Sequence, residues 1–187
     1  MLQTDFARVP RLQTARLVLR GLFDDDAPEV FLLRSSPLVM RYIPKPLEVR
    51  PEEGLRMVEE FRSAQAQGES IMWAITIKGS DKLAGYIGFW RILQEHHRAE
   101  IGYALHPDLW GQGLMTEAVA AVVDHGFRRI GLNSVEARVT PDNTASIHVL
   151  KATGFVQEGH FKEHLLVNGV FTDTLVYTLH TPLHRPG

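Results

Sequence analysis

Apolar and polar residues alternate through Arg16-Leu17-Val18-Leu19-Arg20, the period of a strand with one buried face. Asp24-Asp25-Asp26 and Pro28 supply the acids and proline of a first helical turn, and a helix is expected to about Arg34. Pro37, Pro44, Pro46 and Pro51 then break the chain into a loop. A second helix is expected from about Pro51 to Gln67, where Gly68 stops it. Ile71 to Ile77 reads as a strand, and Gly79-Ser80-Asp81 turns it back into a partner from Leu83 to Ile92. A third antiparallel member runs from Arg98 to Leu105. Met115, Val119, Val122, Val123, Phe127 and Ile130 recur on one face of a long helix from Leu114 to about Ile130, with Gly131 as its stop. Val135 to Val139 reads as a buried strand, Asn143 opens a short helix ending at Gly154, and Phe155-Val156 starts another strand. Asn168-Gly169 signals a hairpin, and Thr174 to Leu179 closes the sheet.

The order is β-αα-βββ-α-β-α-ββ. Antiparallel strands followed by a crossover helix predict a mixed sheet in an α+β fold. The chain has 187 residues, 44% of them hydrophobic, without repeats or linkers, which suits one domain over 1–187 with its core at about 11–180. A net charge of −2 gives no basic field, so nucleic acid is not expected as a ligand. Cysteine is absent, which excludes disulfides, thiolate metal sites and an acetyl-Cys intermediate. No apolar run reaches the length of a membrane span and the first residues lack an apolar signal core; a cytoplasmic protein with no membrane partner is expected.

Candidate chemistry concentrates at 100–116. An apolar run ends at Leu105, a Pro-containing turn follows, and Gly111-Gln112-Gly113 precedes the helix start at Leu114. Free N–H groups at a helix start, without side chains in the way, bind anions. No Lys follows Gly113, as a Walker loop would need, and Thr116 stands where a dinucleotide fingerprint has its third glycine. An ordinary strand-to-helix connection is the alternative.

Trp110 to Met115 resembles the Arg/Gln-x-x-Gly-x-Gly/Ala loop with which the GNAT superfamily of N-acetyltransferases binds the acetyl-CoA pyrophosphate, Gly113 being the central glycine. Trp110 and Met115 depart from the general pattern. Trp-Gly-x-Gly-x-x-Thr-Glu-Ala instead looks like the ribosomal-protein (Rim-type) subgroup. The segments 12–20, 142–146, 151–155 and 168–173 with Tyr177 are similar to it in matching order. The resemblance implies a GNAT-like, mostly antiparallel sheet of six or seven strands flanked by about four helices. It implies acetyl-CoA as co-substrate, no metal, and compatibility with a homodimer.

The resemblance also implies site roles. The backbone N–H groups of Gly111, Gln112, Gly113, Leu114, Met115 and Thr116 would hold the pyrophosphate, the Thr116 hydroxyl adding a bond or simply starting the helix. Backbone groups at Ala104-Leu105, on a strand splayed from its neighbour, would bind the pantetheine amides and the acyl oxygen. Asn143 is a helix N-cap by residue type and a pantetheine contact by resemblance. The superfamily's acidic Tyr position falls on Leu150; Ser146, one turn earlier, would stabilise or protonate the thiolate, or is a plain helix-surface serine. The Rim-type base position falls on Leu165. Glu163, two residues earlier and expected on the same strand face, is one substitute. Glu100 is the other, sharing a face with Gly102 and Ala104; its alternative is a pair with a cation such as Arg98. Tyr103, on the opposite face, is expected in the core. His160 and His164, four apart on a strand, do not converge on a metal. His106 reads as a solvated turn residue.

The leading expectation is acetyl transfer to a primary amine, the N-terminal amine of a protein as the resemblance suggests, by direct transfer in a ternary complex. A small amine such as a polyamine or amino sugar is the alternative acceptor. A non-catalytic acyl-CoA-binding module is the rival class, because the usual Tyr and Glu are displaced.

Overall fold

The computed structural model describes residues 2–167 and 169–183. Its centre is an eight-stranded sheet in the order β1-β2-β3-β4-β5-β6-β8-β7. The strands are β1 (Leu12–Gln13), β2 (Leu17–Arg20), β3 (Ile71–Ile77), β4 (Leu83–Leu93), β5 (Arg98–Leu105), β6 (Ser134–Val139), β7 (Val156–Val167) and β8 (Val170–His180). Helices α1 (Ala27–Arg34), α2 (Pro37–Met40) and α3 (Glu52–Ala66) come before β3; α4 (Leu114–His125) and α5 (Thr144–Ala152) flank β6 in the chain. All neighbouring strands are antiparallel except β5 and β6.

The sheet has a core on each face. Leu22, Val30, Leu33, Val58, Met72, Ala74 and Tyr86 build one, beneath α1–α3. The larger one carries Leu19, Trp73, Ile87, Phe89, Ile101 and Tyr177 against α4 and Leu150 of α5. The predicted helix face holds: Met115, Val119, Val122, Val123, Phe127 and Ile130 are all buried there. Helix α4 ends in a π-helical turn over Gly126–Ile130, where Phe89 approaches too closely for Gly126 to carry a Cβ.

Two features depart from expectation. The strand count is eight rather than six or seven, because Leu12-Gln13 folds back on Leu19 and Val18. Five α-helices replace about four, because the proline-rich segment holds the extra turn α2. Its signal was present: Pro37 occupies the first turn, and the Ser36 side chain accepts from the Val39 N–H at 3.5 Å. The expected hairpin residue Asn168 lies outside the described residues.

A candidate active site where two strands part

Strand β6 pairs with β8 along its whole length, from Ser134 to Val139. Its parallel pairing with β5 covers only Arg98, Ala99 and Glu100 against Ser134, Val135 and Glu136. Beyond Glu100 the two strands separate. The edge of β5 from Ile101 to Leu105 therefore faces β6 without a ladder, and backbone donors and acceptors left so need other partners. An extended ligand with amide groups can supply them by adding to the open edge.

The glycine loop lies at the far end of that edge. Gly111 and Gly113 both sit at φ 72°, a left-handed conformation that a Cβ would strain. Gly113 caps α4, whose first helical bond runs from the Glu117 N–H to the Gly113 carbonyl at 3.1 Å. The N–H groups of Leu114, Met115 and Thr116 precede it and have no acceptor within the helix. Leu114 and Met115 put their side chains in the core, so only their backbones can serve a ligand; Thr116 is half-buried. Trp110 clamps the loop to the strand by donating from Nε1 to the Leu105 carbonyl at 2.8 Å. That carbonyl, one of the predicted pantetheine contacts, already has a partner.

Sequence reasoning missed a second clamp. Arg16 donates from Nη1 to the Gln112 carbonyl at 2.8 Å and from Nε to Glu117 Oε2 at 2.8 Å. The Glu117 Oε1 also accepts from the Arg16 N–H at 2.7 Å and from the Thr14 hydroxyl. Burial works against the Glu117 charge, but these hydrogen bonds win and hold its carboxyl down at about 2. The guanidinium of Arg16 lies 3.6 Å from the space a Gly113 Cβ would take, so the loop gains a fixed cation beside its free N–H groups.

Helix α5 stands across the gap. Asn143 is its N-cap, its Oδ1 accepting from the Ser146 N–H at 3.2 Å. The capping role is real, and it leaves the amide nitrogen of Asn143 for another acceptor. Ser146 meets the hydroxyl of Tyr103, which is on β5. Burial pushes the Tyr103 phenol up to about 12, with the Ser146 hydrogen bond pulling it back. Tyr103 packs its ring on the larger core, as its face predicted, yet its polar end bridges the parted strand and α5.

Glu100 occupies the last paired position before the strands part, on the α1–α3 face. Burial raises its pKa above the ordinary carboxylate range; Arg138 opposes this, Glu136 reinforces it, and Arg91 and the Trp90 side chain lower it. Glu100 does not pair with Arg98. The parallel register sets Glu136 beside it, and Arg98 and Arg138 (Nε 2.8 Å) both bind Glu136. Arg138 reaches Glu100 only at 3.8 Å. Glu100 is thus the under-compensated member of two adjacent carboxylates.

Glu163 is placed differently from expectation. Between Phe161 opposite Thr174 and Leu165 opposite Thr172, three residues of β7 face Asp173 alone. Glu163 lies in this bulge at φ 50°, its N–H held by Asp173 Oδ1 at 2.9 Å. A bulge breaks the two-residue period, so the same-face argument from Leu165 fails. Asp173 also binds His160 Nε2 at 2.6 Å, which keeps the Asp173 carboxyl below its usual range, chiefly through the Glu163 N–H. Glu163 is exposed, and among the described residues its side chain forms no ion pair. His106 caps a short turn, half exposed, as expected. Among the described residues no three His, Cys, Asp or Glu side chains cluster to hold a metal, and no helix is long and apolar enough to cross a membrane.

Parted strands, a glycine-capped helix start and a second helix across the gap define an acyl-CoA-dependent transferase fold, and comparison with known proteins agrees. The chain belongs to the acetyltransferase (GNAT) domain family, whose model matches residues 16–156. It is an acetyl-CoA-dependent N-acetyltransferase whose relatives include the Rim-type subgroup. The uncharacterized N-acetyltransferase YoaA of Bacillus subtilis (strain 168) is 36% identical over 92% of this chain and 98% of its own. The [ribosomal protein uS5]-alanine N-acetyltransferase of Escherichia coli (strain K12) is 30% identical over 95% of this chain and 94% of its own. Among solved structures, RimL, the ribosomal L7/L12 alpha-N-protein acetyltransferase in complex with coenzyme A, superposes with a TM-score of 0.84 at 24% identity, covering 91% of this chain and 98% of that one.

Proposed function

We propose that this enzyme transfers the acetyl group of acetyl-CoA directly to the N-terminal amine of a protein. The observation that carries the reading is the parting of β5 from β6 immediately after Glu100 and Glu136, with the glycine loop at the open end. The relative that acetylates the alanine of ribosomal protein uS5 supports the acceptor class.

In this reading the pyrophosphate rests on the N–H groups from Gly111 to Thr116 beside Arg16, and the pantetheine arm follows the open edge of β5 toward Glu100. The free amide of Asn143 serves the arm. Backbone N–H groups near Ala104 polarise the acyl oxygen; one such donor is worth on the order of 3 kcal/mol in the transition state.

The acceptor arrives from the α1–α3 face, where Glu100 stands. Its nitrogen lone pair attacks the thioester carbon, and Glu100, directly or through one water, takes a proton from that nitrogen. A raised carboxylate pKa suits a base that works near neutral pH. The C–S bond then breaks. Ser146 gives its hydroxyl proton to the leaving thiolate as Tyr103, which stays protonated up to about 12, passes its own to Ser146; solvent then returns a proton to Tyr103, and Glu100 releases the amine proton to solvent. Glu100 is preferred to Glu163 because it borders the parting of the strands, whereas Glu163 lies in an exposed hairpin bulge.

The test is release of CoA thiol from acetyl-CoA with short peptides bearing free N-termini, beside polyamines and aminoglycosides. Release with peptides supports the reading. Release with small amines alone overturns the acceptor assignment, and acetyl-CoA binding without turnover on any amine overturns catalysis.

A further inference from the structure

The acceptor side of Glu100 carries a feature the transfer step does not use. In β4, Phe89 pairs with Ile101 and Arg91 pairs with Glu100, so Trp90 is an extra residue opposite no partner. This β-bulge resets the alternation of the strand. Phe89 and Ile92 both stay in the larger core, and the two residues between them are both exposed. Arg91 therefore shares a face with Glu100, its cross-strand partner, instead of pointing at the core.

Trp90 lies on that face too. A Cβ on Gly102 would come within 3.2 Å of Trp90 Cδ1, so the indole covers a stretch of β5 bare of side chain. Its polar group interacts with the Glu100 carboxylate. Trp90 is about half exposed (49%), so its indole offers free apolar surface beside Glu100.

Arg91, Arg98, Glu100, Glu136, Arg138 and Leu93 line a cavity of about 150 Å³ at this point. Three guanidinium groups meet two carboxylates there. Arg98 and Arg138 are engaged by Glu136. The nearby Glu158 carboxylate is bound by His180 at 3.1 Å and by Thr178. Arg91 has no carboxylate within 4.0 Å among the described residues. Arg91 acts on Glu100 through space without a close ion pair, which leaves it the guanidinium of this cavity open to a further carboxylate.

We infer that Trp90 and Arg91 form a specificity subsite for an acceptor that carries a carboxylate within one or two residues of the amine it presents to Glu100. The inference rests on the acetyl-transfer reading above and names the chemistry of the acceptor. Paired residues on neighbouring antiparallel strands lie about 5 Å apart at their Cα atoms, so an amine at Glu100 puts the adjoining residue of a peptide within reach of Arg91. The indole offers a flat surface for the segment between the two charges. A polycation would meet an unpaired guanidinium at the same place. The carboxylate could come from an Asp or Glu side chain near a protein N-terminus or from the α-carboxylate of a free amino acid.

The experiment compares kcat/KM for three peptides with free N-termini that begin Ala-Asp, Ala-Asn and Ala-Lys, together with free aspartate, its diamide and spermidine. Acetyl-CoA binding by each variant checks that the fold is intact. The wild-type enzyme is expected to prefer the Asp peptide to the Asn peptide about tenfold, mainly through KM. Arg91→Lys should keep that order, and Arg91→Glu should invert it in favour of the Lys peptide. Trp90→Ala should raise KM for all three peptides more than Trp90→Phe does. Equal use of the three peptides by the wild type, or an unchanged ranking in Arg91→Glu, overturns the subsite and leaves the protein N-terminus standing as acceptor. Acetylation of free aspartate but of no peptide, with the preference over the diamide lost in Arg91→Glu, supports the subsite and overturns the protein acceptor. Turnover with spermidine alone, or with nothing, overturns both.

Discussion

Arg16 and Glu117 lie 101 residues apart in the chain and meet at 2.8 Å, joining the entry to β2 to the first turn of α4. The same arginine holds the Gln112 carbonyl, so one ion pair fixes the glycine loop against the sheet edge. Glu117→Ala is expected to cost about 1–2 kcal/mol of stability, a modest figure because Arg16 is half exposed and screened by water. It should also raise KM for acetyl-CoA while changing kcat less. The folded Glu117 titrates at about 2, below its ordinary 4.5, so its contribution is full above pH 4.5 and fades as the pH falls toward 2. Acid unfolding of wild type and Glu117→Gln, followed by circular dichroism, should converge in that window.

Gly113→Ala should weaken the same loop by another route. A Cβ at φ 72° costs about 1–2 kcal/mol and stands beside the Arg16 guanidinium, 3.6 Å away. Isothermal titration is expected to show weaker CoA binding with little change in melting temperature beyond that strain.

Tyr103 and Ser146 act on one proton in the proposed mechanism. Ser146→Ala should lower kcat about 100-fold, in the range of a lost general acid, and Tyr103→Phe by less. The double variant should resemble Ser146→Ala alone, because the two losses share one pathway. The thiol of bound CoA, read by thiolate absorbance against pH, should titrate higher in both variants than in wild type. Tyr103 remains protonated up to about 12, so any alkaline fall in rate belongs to another group.

Glu100→Gln should lower kcat by 100-fold or more if Glu100 is the base. In the wild type the acid limb of kcat/KM against pH should lie above the ordinary glutamate range, because the raised pKa delays ionisation. Glu136→Gln should move that limb to lower pH for two reasons of the same sign. It removes the neighbouring negative charge, and it frees Arg138 to approach Glu100. A limb that stays in place would remove Glu100 from the role.

Local signals made much of this protein readable from its chain. The limits of β5 at Arg98 and Leu105, the buried face of α4 and the cap at Asn143 follow from periodicity, capping chemistry and glycine placement, all short-range effects. The glycine loop was legible for the same reason: Gly111-Gln112-Gly113 before Leu114 marks, within a few residues, a helix start with free N–H groups and an uncrowded approach, which is what the proposed pyrophosphate site needs.

The rest depended on long-range register. Where β5 leaves β6, and so which residue stands at the parting, is set by how β6 pairs with β8 across the closing hairpin. That register also places Glu136 beside Glu100 and draws the arginines to it. Arg16 and Glu117 carry no local sign of their meeting, nor do Tyr103 and Ser146. Bulges override the two-residue period twice: one in β4 brings Arg91 onto the face of Glu100, and one in β7 overturns the expectation that Glu163 shares a face with Leu165. Extra residues in a strand, one in β4 and two around Glu163 in β7, disrupt its alternation, and they are stable only where the neighbouring strand and the core accept them. The sequence by itself determined most of the elements and the glycine loop before α4. Only the packed sheet decided which side chains share a face, because that choice is made by residues far apart in the chain.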